Sequence, residues 1–169
     1  MAGLSRAFTH STGVAVTNND VLRSLRYAMD LGDPALVDIF ELAGLEVTRA
    51  DIACFLKRED EEGYLECSDA AMAHFLEGLI VHQRGKNEQA PEASFTGRLN
   101  NNDILKKLRV AFILKEDDML AILELAGFPL SRPELSALFR KKGHKNYREC
   151  GDQILRNFLK GLTFKLRGR

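Results

Sequence analysis

The sequence has no long apolar run, few cysteines and almost no pattern typical of a β-strand. A membrane-spanning helix needs about 20 consecutive apolar residues, and no stretch of the 169 residues approaches that length. The three cysteines, Cys54, Cys67 and Cys150, are too few and too scattered for a disulfide framework. Free thiols are typical of a reducing compartment, so we expect a cytoplasmic protein without a membrane partner.

Motifs of enzymes and of cofactor-binding proteins are absent as well. The sequence has no glycine-rich dinucleotide loop, no phosphate-binding loop with its lysine and no Ser/His/Asp set. The acidic run 59–62 lacks the alternating ligands of a calcium-binding loop. Neither Cys67 nor Cys150 has a histidine at the matched spacing that a zinc site would require. We therefore expect a non-enzymatic protein with no catalytic residue, no cofactor and no metal site.

The sequence does contain one unit twice. A shift of 83 residues aligns residues 18–85 with residues 101–168 without a gap, and about a third of the aligned positions are identical. The motifs NND, ELAG and Tyr-x-Glu-Cys-x-Asp recur at matched places. A gapless match of this length indicates a duplicated structural unit.

The two units define the organisation of the chain. The segment before the first unit has no sustained apolar core, and the segment between the units is polar and contains a proline. We therefore divide the chain into a mobile leader (1–17), a first unit (18–85), a polar linker (86–100) and a second unit (101–169).

Each unit shows four segments with apolar residues at helical spacing, bounded by capping residues, proline or glycine. This pattern predicts an all-α fold of two homologous four-helix units in tandem, packed as a pseudo-symmetric helical assembly. In each NND motif an asparagine, Asn18 or Asn19 in the first unit, is expected to cap the first helix. Gly78 and Gly161 interrupt apolar helices, so we expect them at close helix crossings, with the crossing that joins the two units as the candidate.

The two units differ strongly in charge although the whole chain is neutral. Residues 18–85 hold 6 Lys and Arg against 14 Asp and Glu, a formal charge of −8. Residues 101–168 hold 14 against 8, a formal charge of +6. The first unit is therefore acidic and the second basic, which indicates a polar partner for one unit or contact between oppositely charged units.

The difference concentrates in one pair of matched segments, KREDEEGYLECSD at 57–69 and RKKGHKNYRECGD at 140–152. Cations of the second segment can contact phosphates, and its tyrosine can stack on a base. A solvated loop explains the same residues without any ligand. The candidate binding residues are Arg140, Lys141, Lys142, His144, Lys145, Tyr147 and Arg148.

Two other patterns have a structural and a functional interpretation. ELAG followed by a capped segment resembles a helix-turn-helix, but in the first unit the second helix would present acids to DNA, so a packing hairpin is favoured. Cysteine beside acids in Tyr-x-Glu-Cys-x-Asp can indicate metal or redox chemistry. Without paired ligands, small buried cysteines are the favoured interpretation.

The span 18–168 resembles the YehS-like family of uncharacterised bacterial proteins, which contain two copies of a domain of unknown function. The resemblance rests on NNDVLRSLRYA, FLKREDEEGY, FLEGLIVHQRGK, NNDILKKLRVAF, DDMLAILELAGF and NYRECGDQILRNFLKGL. It implies a bacterial, cytoplasmic, helical protein, and it supplies no activity or site residue.

These observations lead to two functional expectations. The first is an interaction module that binds another macromolecule, with a protein partner or self-association. The alternative is a nucleic-acid-binding protein that uses the basic second unit. A small enzyme has no positive support in the sequence.

Overall fold

The computed structural model of the protein describes residues 15–86 and 97–168. Most of the expected leader and linker, residues 1–14 and 87–96, therefore lies outside the described residues. The described parts contain eight α-helices and no strand, which confirms the all-α prediction with four helices in each repeat. The helices are α1 (Asn18–Met29), α2 (Asp33–Leu42), α3 (Arg49–Phe55), α4 (Asp69–Arg84), α5 (Asn101–Ala111), α6 (Glu116–Leu125), α7 (Arg132–Leu138) and α8 (Asp152–Arg167).

The first helix of each repeat begins one residue earlier than its NND motif suggests. Thr17 caps α1 and forms a capping box with Asp20, and Asn100 caps α5 in the same way. The expectation that Asn18 or Asn19 caps the helix is therefore wrong. Both asparagines lie in the first helical turn, where their side chains are free to reach other parts of the fold.

The four long helices α1, α4, α5 and α8 run in the same direction. At one end, Asn18 of α1 donates to Asp69 of α4 at 2.8 Å, and the backbone N–H of Leu99, just before α5, donates to the same carboxylate at 3.1 Å. At the other end, Arg167 of α8 donates to the backbone carbonyl of Tyr27 of α1 at 2.7 Å. The helix dipoles are therefore aligned, with acids in all four first turns and cations in all four last turns.

Packing of these helices joins the two repeats. The first helix of each repeat packs mainly against the fourth helix of the other, α1 on α8 and α4 on α5. Within a repeat, the short helices cover the outside, with α2 on α4 and α6 on α8. The core is continuous across both repeats, so neither repeat buries its apolar faces alone.

Gly78 and Gly161 lie where the second and fourth helices of one repeat cross. A Cβ at Gly78 would lie 1.8 Å from the carbonyl oxygen of Ile39, and a Cβ at Gly161 would lie 1.9 Å from that of Ile122. The expected close crossings are confirmed. They lie within each repeat, so the expectation that they join the two repeats is wrong.

Candidate interaction surface

Two matched loops follow α3 and α7, the acidic loop (57–66) and the basic loop (140–149). Three backbone hydrogen bonds recur at positions 83 residues apart, two inside each loop and one to the short helix before it. The bond to the helix joins Leu65 to Cys54 at 3.2 Å in the first repeat and Arg148 to Ala137 at 3.0 Å in the second. The two loops therefore share a backbone frame while their side chains differ in charge.

Buried Asn19 holds the acidic loop in place. Its amide nitrogen donates to the carbonyl oxygens of Phe55 and Leu65, each at 2.9 Å. Its oxygen accepts from the backbone N–H of Cys67 at 2.9 Å and from the hydroxyl of Tyr64 at 3.1 Å. All four hydrogen-bonding positions of the amide are filled, which offsets the cost of burying it.

Asn102 holds the basic loop by the same contacts to the backbone. It donates to the carbonyl oxygens of Leu138 and Arg148, each at 3.0 Å, and accepts from the N–H of Cys150 at 2.8 Å. Its neighbour Asn101, like Asn18, ties the first helix to the start of the fourth. The recurring NND and Tyr-x-Glu-Cys-x-Asp motifs are thus the two halves of one hydrogen-bond network.

Cys67 and Cys150 are buried beside this network, as expected of structural cysteines. Burial first, and then the nearby carboxylates of Asp69 and Asp152, raise the pKa of each thiol to about 12. A thiol with this pKa is almost entirely protonated at neutral pH, so it is a poor nucleophile and a poor metal ligand.

The candidate binding residues of the basic loop differ in exposure. Arg140, Lys141, Lys142, His144, Lys145 and Arg148 are exposed, and Tyr147 is half-buried. Arg148 lies 3.9 Å from the Glu134 carboxylate. Within the described parts of the chain, the other five exposed basic side chains have no carboxylate within 4.0 Å. The loop therefore presents cations that internal ion pairs do not neutralise.

In the first repeat, two cations near the acidic loop bind groups of the protein itself. Arg23 forms an ion pair with Asp20 and donates to the carbonyl oxygen of Lys57 at 2.8 Å. The ammonium of Lys57 donates to the carbonyl oxygen of Glu62 at 2.7 Å. These two side chains support the loop, and its acidic residues remain exposed.

The helix-turn-helix interpretation finds little support in the geometry. Its second helix would be α7, which has only seven residues. Arg132 at its start is bound to Glu116, at 2.6 Å, and to Asp117 of the preceding helix. The cation at the start of this helix is therefore already paired.

A shallow basic groove of about 390 Å³ lies between the repeats. Its cations are Arg84, Lys106, Arg109 and Lys115, and the apolar Val110 and Ile113 lie among them. The Arg109 guanidinium stacks over the ring of Phe139 at 4.7 Å, immediately before Arg140 of the basic loop. The groove is not predictable from either repeat alone, because Arg84 comes from the first repeat and its other residues from the second. One feature of the groove is visible in the sequence: the second repeat has the apolar Ile113 where the first repeat has Asp30.

Neither a metal-binding cluster nor a membrane-spanning helix is present among the described residues. No group of three or more His, Cys, Asp or Glu side chains is arranged to hold a metal ion in the described part of the chain. In residues 15–86 and 97–168, no helix combines the length and the apolar character that a membrane crossing needs.

Comparison with known proteins identifies relatives of the whole repeat pair. The model of a family described as "Protein of unknown function (DUF1456)" matches twice, at residues 18–85 and 101–168. The chain is also 51% identical over 146 residues to "Uncharacterized protein YehS" of Escherichia coli (strain K12), an alignment that covers 86% of this chain and 94% of the relative. No solved structure matches the chain.

Proposed function

Because the chain belongs to the DUF1456 family of tandem-repeat proteins, whose description names no activity, we propose a function from its own surface. The protein is a non-enzymatic interaction module that binds another macromolecule, an acidic protein, through the basic loop of its second repeat.

One observation carries this proposal. The acidic and basic loops share their backbone hydrogen bonds and their buried asparagine, yet their charges are opposite. The fold therefore does not require the cations of the basic loop, because the first repeat builds the same frame with acids. Lys141, Lys142 and Lys145 are exposed and unpaired among the described residues, so a partner's carboxylates can reach them. Complementary charge of this kind steers association and selects the partner.

The non-enzymatic part of the proposal is supported by the chemistry of the most buried reactive groups. Cys67 and Cys150 have thiol pKa values raised to about 12, and they serve the network that anchors the loops. The recurring acids Asp69 and Asp152 accept hydrogen bonds from Asn18 and Asn101. These two recurring acids therefore have structural partners.

Nucleic-acid binding is the second candidate function. Five exposed basic residues within 140–145 favour it, because a short basic segment can contact consecutive phosphates. Half-buried Tyr147 is poorly placed to stack on a base, which weakens the case for single-stranded substrates.

Fluorescence anisotropy with three labelled probes tests both candidates: an acidic polyglutamate peptide, a single-stranded oligonucleotide and a double-stranded oligonucleotide. The variant Lys141→Glu/Lys142→Glu/Lys145→Glu is expected to weaken binding of the peptide by at least about tenfold, since each exposed charge contributes a few tenths of a kcal/mol or more. The matched control Arg49→Glu/Lys86→Glu/Lys165→Glu reverses three exposed cations elsewhere and is expected to bind normally.

The outcomes separate the two candidates. Preferential binding of the peptide, lost in the loop variant alone, supports the protein partner. Preferential binding of an oligonucleotide, with affinity falling steeply as salt rises, supports the second candidate. Equal loss in the loop variant and the control, or no binding of any probe at low salt, contradicts both.

A further inference from the structure

The basic groove between the repeats has features that the basic loop does not explain. Of its cations, Lys106 and Lys115 are exposed and have no carboxylate partner within 4.0 Å among the described residues. The acids closest in sequence to Lys115, at the start of α6, already have partners. Glu116 and Asp117 bind Arg132, and Asp118 accepts the backbone N–H of Lys115 at 2.8 Å.

Ile113 is the most unusual residue of the groove. Its φ of 54° lies in the left-handed region, which a β-branched side chain rarely adopts. Its side chain is also 63% exposed, the largest value among the exposed large hydrophobic residues of the described chain. An apolar residue held in a strained conformation at the surface points to a function for that position.

The first repeat places a polar residue at the position of Ile113. The matched residue Asp30 also has a φ of 54°, and aspartate tolerates that conformation. Tyr27, which matches Val110, is 49% exposed, and the guanidinium of Arg167 stacks on it 4.2 Å from the ring. The exposed isoleucine of the groove is therefore particular to the second repeat.

The acidic loop of the first repeat has the complementary features. It carries five carboxylates, at Glu59, Asp60, Glu61, Glu62 and Glu66. Leu65 lies among them and is 43% exposed. Its matched residue in the second repeat is Arg148, so an exposed leucine surrounded by acids is also particular to one repeat.

We propose that the basic groove binds the acidic loop of a second copy of this chain, with Leu65 of one copy against Ile113 and Val110 of the other. Lys106 and Lys115 then pair with loop carboxylates. The groove and the acidic loop are different surfaces, so the contact is head-to-tail and extends to further copies unless a ring closes. This inference goes beyond the proposed function, because it does not involve the cations of residues 141–145.

Sedimentation velocity across protein and salt concentrations tests the proposal on the full chain. The wild-type protein is expected to form dimers and larger species at low salt and to dissociate as salt rises. The groove variant Lys106→Glu/Lys115→Glu and the loop variant Asp60→Lys/Glu62→Lys are each expected to weaken self-association at least tenfold. The control Arg49→Glu/Lys165→Glu changes charge equally, outside both the groove and the basic loop, and is expected to associate like wild type.

A mixing experiment makes the test independent of how each variant behaves alone. In a mixture, the intact acidic loop of the groove variant can occupy the intact groove of the loop variant. The mixture is therefore expected to regain the association that each variant loses alone, because this contact is intact and the two altered surfaces, with their charges exchanged, remain complementary. Wild-type protein that stays monomeric at low salt, or variants that still associate alone, would overturn the proposal. So would a mixture that forms no dimer while both variants retain their helical circular dichroism.

Discussion

The two repeats agree where side chains are buried and differ where they meet solvent. Asn19 and Asn102 are both buried and make the same bonds to the backbone, and Gly78 and Gly161 sit at equivalent crossings. The loops that these features support have exposed side chains of opposite charge. The same buried backbone frame therefore supports two surfaces of opposite charge, and substitutions in the frame and at the surfaces can be tested separately.

The cores also differ, although less than the surfaces. Phe40 packs against Phe55 and Phe75 in the first repeat, with ring centroids 6.0 and 5.1 Å apart. The matched residues of Phe40 and Phe55 in the second repeat are Leu123 and Leu138. Both sets are buried, so the shared frame accommodates either an aromatic or an aliphatic core.

The glycine crossings provide the strongest test that the frame is the same in both repeats. Gly78→Ala and Gly161→Ala are each expected to lower the free energy of unfolding by more than about 3 kcal/mol, because the new Cβ would overlap a backbone carbonyl that cannot rotate away. Urea denaturation followed by circular dichroism measures the loss.

The direction of the change acts as an internal control. In a helix without a close neighbour, replacing glycine by alanine stabilises the protein by about 1 kcal/mol. A gain or no change at Gly78 or Gly161 would therefore show that the helices do not approach closely there. A loss in one repeat alone would show that the repeats differ in their frame.

The buried asparagines provide the second test. Asn19→Ala and Asn102→Ala are each expected to cost about 2 to 3 kcal/mol, because each leaves two carbonyl oxygens and one N–H without their partner. Asn19 has the additional bond from Tyr64, so its loss is expected to be the larger one. Urea denaturation of both variants gives the comparison.

Tyr64→Phe is the matched control for that additional bond. When Tyr64→Phe is combined with Asn19→Ala, the loss of unfolding free energy is expected to come closer to that of Asn102→Ala. Phenylalanine has no hydroxyl that needs a partner. If Asn19→Ala and Asn102→Ala lower the free energy of unfolding equally, and Tyr64→Phe does not change this result, the bond from Tyr64 does not contribute to stability.

The local parts of the fold followed from the sequence. The four helical segments predicted in each unit are present, and their ends have the expected kinds of residue, with capping boxes at Thr48 and Ser131 and a fourth helix between Ser68 and Gly85. Such features depend on residues only a few positions apart, and side-chain chemistry favours the same local structure in many proteins. The buried cysteines and the glycine crossings also followed, since their residue types indicate burial and close approach.

Long-range features did not follow from the sequence. Asn19 bonds to residues 36 to 48 positions away, so its role was mistaken for a local helix cap. The packing of α1 against α8 could not be predicted either. The helices of the two repeats have similar apolar faces, so the sequence does not show whether a helix packs within its own repeat or against the other one. The basic groove requires that pairing and could not be predicted without it.

Substitutions at Ile113 and at its matched residue Asp30 are expected to have the smallest effect on stability, and they compare the surfaces of the two repeats at a single position. Ile113→Asn is expected to raise the free energy of unfolding by about 1 kcal/mol, because asparagine tolerates the left-handed backbone and isoleucine does not. The opposite change, Asp30→Ile, is expected to lower it by about the same amount. Thermal or urea denaturation of both variants measures the pair.

Self-association of the same variants tests whether the strained Ile113 has a role in binding. If Ile113 is retained for contact with a second copy, Ile113→Asn makes the protein more stable but weakens its self-association in sedimentation velocity. Asp30→Ile, in contrast, leaves self-association unchanged, because Asp30 lies outside the groove. A more stable Ile113→Asn variant that associates like wild type would show that the strained isoleucine has no role in binding. The two repeats would then differ at this position without a functional consequence.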